Sequence, residues 1–151
     1  MMYKILIDAV KRHLGETLPL IKQLVEVNIL SKPVDGVREI GEVVLHTVRS
    51  LEYYMKGITT NQWEALPYNL ETYDSAETII ELAEKVFEEV KVYASLISTS
   101  DLGRKIESFN RPATVVELIL EMVEHSIHHR GQITVYYRFL GIEPATIPYI
   151  I

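Results

Sequence analysis

Apolar residues recur at steps of three and four in four long stretches of this chain, a spacing that commits it to helices packed on one another. The most constraining stretch is the last, expected from Thr114 to about Leu140. Its stripe runs Leu118, Met122, His125, His129, Ile133, Tyr136 and Leu140. Two histidines thus stand where apolar residues belong, one turn apart on the same face. Burying two imidazoles side by side is unfavourable unless each nitrogen finds a partner. A metal ion partners both at once, and imidazole suits zinc, nickel, copper and iron.

The other three helices are read the same way. Helix one is expected from about Tyr3 to Val27, with Pro19 kinking or splitting it. His13 lies on its stripe and reads as a packed histidine. A pocket role stays open if helix two folds back and brings residues 14–18 level with His46. Helix two is expected from about Arg38 to Lys56, with Gly57 as its left-handed cap. Helix three is expected from about Ser75 to Ile97, started by Asp74 with Glu77. Thr114 with Glu117 makes a second such start, and Gly141 ends helix four. Gly131 inside that helix costs about 1 kcal/mol against alanine, which implies close approach of a neighbouring helix or chain.

Two long connections remain. Residues 57–74 carry Trp63, Pro67, Tyr68 and Tyr73 and are expected to pack over the end of the core. Residues 98–113 are expected to include an extended piece between Leu102 and Phe109. The apolar tail from Pro144 to Ile151 is expected to dock on the bundle or on a second subunit. The sum is an all-α four-helix bundle with long crossover connections, one domain over residues 1–151.

Charge and composition narrow the function. The net charge is -6 and no basic stripe appears, which argues against nucleic acid as a partner. There is no cysteine, so disulfides, iron–sulfur clusters and a cysteine nucleophile are excluded. No phosphate loop, nucleophile elbow or dinucleotide fingerprint is present. Asp8 comes too early for a secretory leader, and no stretch is apolar for long enough to span a bilayer. A cytoplasmic protein without a membrane partner is the expectation.

His46 sits near the middle of helix two and faces the core, so it can join His125 and His129 in a three-imidazole set. Three neutral ligands leave a divalent ion its full charge and an open position, the mark of a catalytic rather than a closed structural site. Water at such a position has its pKa lowered. Glu42, one turn before His46, is a candidate to orient its imidazole. Tyr53 and Tyr136 are candidates to line a pocket, although core packing is the favoured reading of both. Glu124 and His128 are read as exposed, and Arg130 as pairing with a helix-two carboxylate.

The string Glu121-Met122-Val123-Glu124-His125-Ser126-Ile127-His128-His129-Arg130-Gly131-Gln132 resembles the signature of the DinB/YfiT-like family. So do Tyr137 to Pro144 and the lone His46 of helix two. The resemblance implies a four-helix bundle, often dimeric, with His46, His125 and His129 holding a divalent metal. Zinc or nickel are the first candidates, then iron or manganese. Members are linked to thiol S-transfer, to metal-dependent hydrolysis and isomerisation, and to DNA-damage-inducible expression. The resemblance therefore implies a small-molecule hydrolase or thiol transferase, or else a non-catalytic, stress-associated metal-binding dimer. One departure is Glu121, where relatives often carry another histidine.

Overall fold

The computed structural model describes residues 1–148. Four long helices carry it: α1 (Met2–Lys22), α2 (Ile40–Thr60), α3 (Ala76–Leu96) and α4 (Val115–Phe139). Short 3-10 turns follow α1 at Gln23–Glu26 and α3 at Thr99–Asp101. The bundle expected from the apolar spacing is the observed architecture. α2 packs on α3 and α4, and α1 packs on the same two helices, so α1 and α2 stand on opposite corners. That arrangement requires the link from α1 to α2 to cross the end of the bundle. Side chains from all four helices close one apolar core, with Leu14, Leu45, Val86 and Leu118 among its residues.

Several helix ends differ from the sequence reading, each for a local reason. Pro19 does not split α1, which runs on to Lys22 with the proline inside it. Pro19 and Gly15 are both exposed, so the carbonyl that loses its amide partner can turn to water. α2 passes through Gly57 and ends at Asn61, whose φ of 61° makes the left-handed cap. Gly57 is glycine for another reason: a Cβ there would collide with the indole of Trp63. α3 is capped by Ser75 and Thr78, one residue on from the expected pair Asp74 and Glu77. The Thr114–Glu117 box at the start of α4 is present, and Gly141 ends that helix at a φ of 82°.

The two connections behave as expected. Residues 61–74 pack down: Trp63 lies over Gly57, and the Tyr68 hydroxyl donates to the buried Glu52 carboxylate at 2.6 Å. The extended piece is a two-residue strand, β1 (Lys105–Ile106), paired antiparallel with β2 (Ala113–Thr114). Phe109, between them, stacks on Trp63 with centroids 4.8 Å apart and so ties the two connections together. The tail docks on its own chain through the Ala145 amide, which donates to Gln23 Oε1 at 2.7 Å, and through buried Ile147. Its last three residues, Tyr149, Ile150 and Ile151, lie outside the described set. Gly131 is exposed, and among the described residues no atom beyond its own stretch of helix lies within 4 Å of where its Cβ would be. Close approach of a helix of the same chain is therefore not its reason.

Candidate metal centre

α4 presents two polar pairs to the bundle, one residue out of phase. Ser126 and Arg130 are its most deeply buried polar residues, at 1% and 3% exposure, whereas His125 and His129 sit half-buried at the edge of the stripe. The histidines therefore flank the core face rather than forming its centre. They face α2, and α2 supplies His46.

The three imidazoles converge. His46, His125 and His129 each offer a ring nitrogen, all within 4.8 Å of one another. His125 Nε2 lies 3.2 Å from His46 Nε2 and 3.2 Å from His129 Nε2. Imidazoles at the corners of a tetrahedron around a divalent ion, with metal–nitrogen distances near 2 Å, place their nitrogens about 3.3 Å apart. Two sides of the triangle match that spacing, and the group could hold one metal ion.

The protonation states agree. Burial, more than any charge, pushes His46 down to about 4, and His129 and Arg49 nearby add to the shift. Burial also lowers His125 and His129. Each shift favours the neutral ring, which has a lone pair to share. His129 Nδ1 lies 2.9 Å from Gln132 Oε1, an oxygen that only accepts. A proton on Nδ1, donated to that oxygen, leaves the lone pair of Nε2 for the triangle. The Gln132 amide nitrogen in turn donates to the Tyr136 hydroxyl at 3.4 Å.

The surroundings of His46 are cationic. Arg49 Nη2 lies 3.4 Å from His46 Nδ1 and donates to Glu42 at 2.6 Å, while Nη1 donates to the Tyr68 carbonyl at 2.8 Å. A guanidinium only donates, so it cannot serve His46 Nδ1 once that nitrogen carries the ring proton. The buried Nδ1 of His125 has no hydrogen-bond partner. A cavity of about 380 Å³ opens beside His46, lined also by Arg49, Ser50, Tyr53, Trp63, Ala65 and Leu66.

Glu42 reaches His46 through Arg49. Tyr53 lines the cavity rather than serving only as core packing. Tyr136 is buried and stands behind Gln132, not in the cavity wall. His13 is not brought to the triangle, because α1 and α2 are diagonal. It is buried on the other side of α4, with Nε2 2.6 Å from Ser126 Oγ and Nδ1 3.1 Å from Arg130 Nη1. Arg130 pairs with Glu16 of α1 at 3.0 Å, not with a helix-two carboxylate. Glu124 and His128 are exposed, and Glu121 pairs with Arg111. Two contributors received no role from the sequence, Arg49 and Gln132. Each stands three residues after a histidine of the triangle, on the same helical face, and that spacing was the available signal.

The sequence model of the DinB superfamily matches residues 9–133, which span α2, α3 and most of α4. The chain belongs to the DinB superfamily. Its fold is similar to that of a DinB-like protein from Bacillus subtilis, with a TM-score of 0.78 and 21% identity over 94% of this chain and 95% of the other. A DinB-like protein from Bacillus cereus ATCC 10987 gives a TM-score of 0.68 and 25% identity, covering 87% of this chain and 90% of the other. No curated protein matches the sequence. Among the described residues, no helix is long and apolar enough to cross a membrane.

Proposed function

We propose that this DinB superfamily member is a metal-dependent enzyme acting on a small molecule, by hydrolysis or by transfer of a thiol group. Its ligands are His46, His125 and His129. The observation that carries the reading is the convergence of three Nε2 atoms, 3.2 Å apart along two sides of the triangle, at the edge of an open cavity. A structural site would use a fourth protein ligand and be closed. Three imidazoles leave a position free, and a divalent ion there supplies Lewis acidity to whatever enters. Nitrogen ligands favour zinc or nickel over the harder ions. The chain's own part is to hold the His129 ring through Gln132 and to shape the cavity with Arg49, Tyr53 and Trp63.

The site lies away from the outer face of α4, where Leu120, Ile127 and Val135 are exposed and Gly131 leaves open space. A second copy of the chain on that face would give Gly131 the close neighbour it lacks, and we assign a homodimer to it.

The test is elemental analysis of untagged protein purified without chelator, repeated on His129→Ala. About one divalent ion per chain in the parent, and a loss of most of it in the variant, is the expected result. Unchanged metal in His129→Ala would remove His129 from the ligand set.

A further inference from the structure

The cavity beside His46 has two unlike walls. One carries Arg49, held from both sides by the Tyr68 carbonyl and the Glu42 carboxylate. Of its five N–H groups these bonds engage two. An arginine fixed in this way offers the rest at little further entropic cost. A second cation, the exposed Arg38, stands close enough to act on both His46 and His129. In a chain of net charge -6, two arginines beside the metal site favour an anion there over the rest of the surface. The other wall is apolar: Trp63 and Tyr53 meet edge to face with centroids 5.3 Å apart, and Leu66 lies beside them. The one polar atom of the indole is taken by Ser108 at 2.9 Å, so Trp63 offers the cavity only apolar surface.

We propose that this cavity selects a small organic carboxylate with a flat apolar body, its carboxylate on Arg49 and its body against Trp63 and Tyr53. The proposal rests on the metal-dependent reading for its chemistry, and on Arg49 and Trp63 for its selectivity. Glu42 cancels part of the Arg49 charge, so a single negative charge fits better than a dianion. Arg49 and Trp63 act here as specificity residues.

Trp63 is the sole tryptophan, so its fluorescence reports the cavity directly. The full chain, zinc-loaded and chelator-stripped, is titrated with benzoate, benzyl alcohol, acetate and phenyl phosphate, and the metal content of each sample is measured. Benzoate is expected to saturate the Trp63 signal at a concentration about tenfold or more below that of benzyl alcohol, the worth of one hydrogen bond to a charged group. Acetate, which has the charge without the body, is expected to be weaker than benzoate by a similar factor. Arg49→Gln should erase the preference for benzoate over benzyl alcohol, and Arg49→Lys should restore part of it. Glu42→Gln should tighten benzoate several-fold, a gain that damage to the fold would not produce. Benzyl alcohol binding as well as benzoate, phenyl phosphate binding more tightly than benzoate, or Glu42→Gln weakening benzoate would each overturn the proposal. Metal content separates the two readings: a chain that takes up no zinc on loading yet prefers benzoate refutes the metal site and leaves the carboxylate pocket standing.

Discussion

Gln132 gives the sharpest test of how the site is held. Its Oε1 is the only partner of His129 Nδ1 among the described residues, at 2.9 Å, and Tyr136 braces the amide from behind. Gln132→Leu keeps the shape and removes the acceptor. The His129 ring then loses the bond that fixes both its tautomer and its angle. Loss of such a partner typically weakens metal binding about 10–100-fold, or roughly 1.4–2.7 kcal/mol. The lost hydrogen bond alone, in a half-buried site, is worth about 1 kcal/mol, which places the expectation at the lower end of that range. Gln132→Glu moves the other way, because a carboxylate accepts the same N–H more strongly and adds negative charge next to a cation. Competition with a chromophoric chelator at neutral pH measures both variants, and urea denaturation of the metal-free forms checks that folding is unchanged to within about 1 kcal/mol. Equal zinc affinity in the parent, Gln132→Leu and Gln132→Glu would refute the reasoning, since His129 would then be held by something else or would not be a ligand.

The buried ion pair on the far side of α4 should matter for stability. Arg130→Met leaves Glu16 without its guanidinium in a largely buried position and His13 Nδ1 without its donor, a loss of about 3–5 kcal/mol by urea denaturation. Adding Glu16→Gln to that variant is expected to recover part of the loss. Acid should act through His13, which burial pushes down to about 4 from an ordinary value of 6.5. The unfolded chain takes the proton first, so stability is complete above about 6.5 and falls as pH drops towards 4, by about 3 kcal/mol over the window. In chelator-stripped protein His46, also pushed down to about 4, adds to the same slope, so His13→Gln should lessen the slope without removing it; an unchanged slope would mean that His13 carries no part of it.

Much of the bundle was legible because one period governs it. Steps of three and four located all four helices, and the same spacing put His125 and His129 on one face. Helix ends were less legible, because adjacent registers carry similar signals. Asp74 with Glu77 and Ser75 with Thr78 both fit a capping pattern, and only the backbone distinguishes them. Gly57 after Lys56 looks like a helix stop until an indole needs the space its missing Cβ leaves. Trp63 comes from a connection whose path no periodicity describes, so its place in the cavity wall was out of reach.

The deepest gap concerns α4, and its cause is geometric. A stripe reading assigns a helix one inward face, but a helix wedged between two diagonal neighbours has two. Residues at a spacing of four repeat on each: His125 and His129 turn to α2, while Ser126 and Arg130, about 100° further round, turn to α1. The sequence holds both pairs in consecutive positions and does not say which helix stands opposite which. That is decided by the crossing of residues 23–39 over the bundle end, which sends α2 to the corner opposite α1. The same crossing puts His13 with Arg130 and His46 with the histidine pair. One topological choice therefore sorts the chain's buried histidines into a structural clamp and a candidate metal site. A shorter link that made α1 and α2 neighbours would leave α4 unable to serve both.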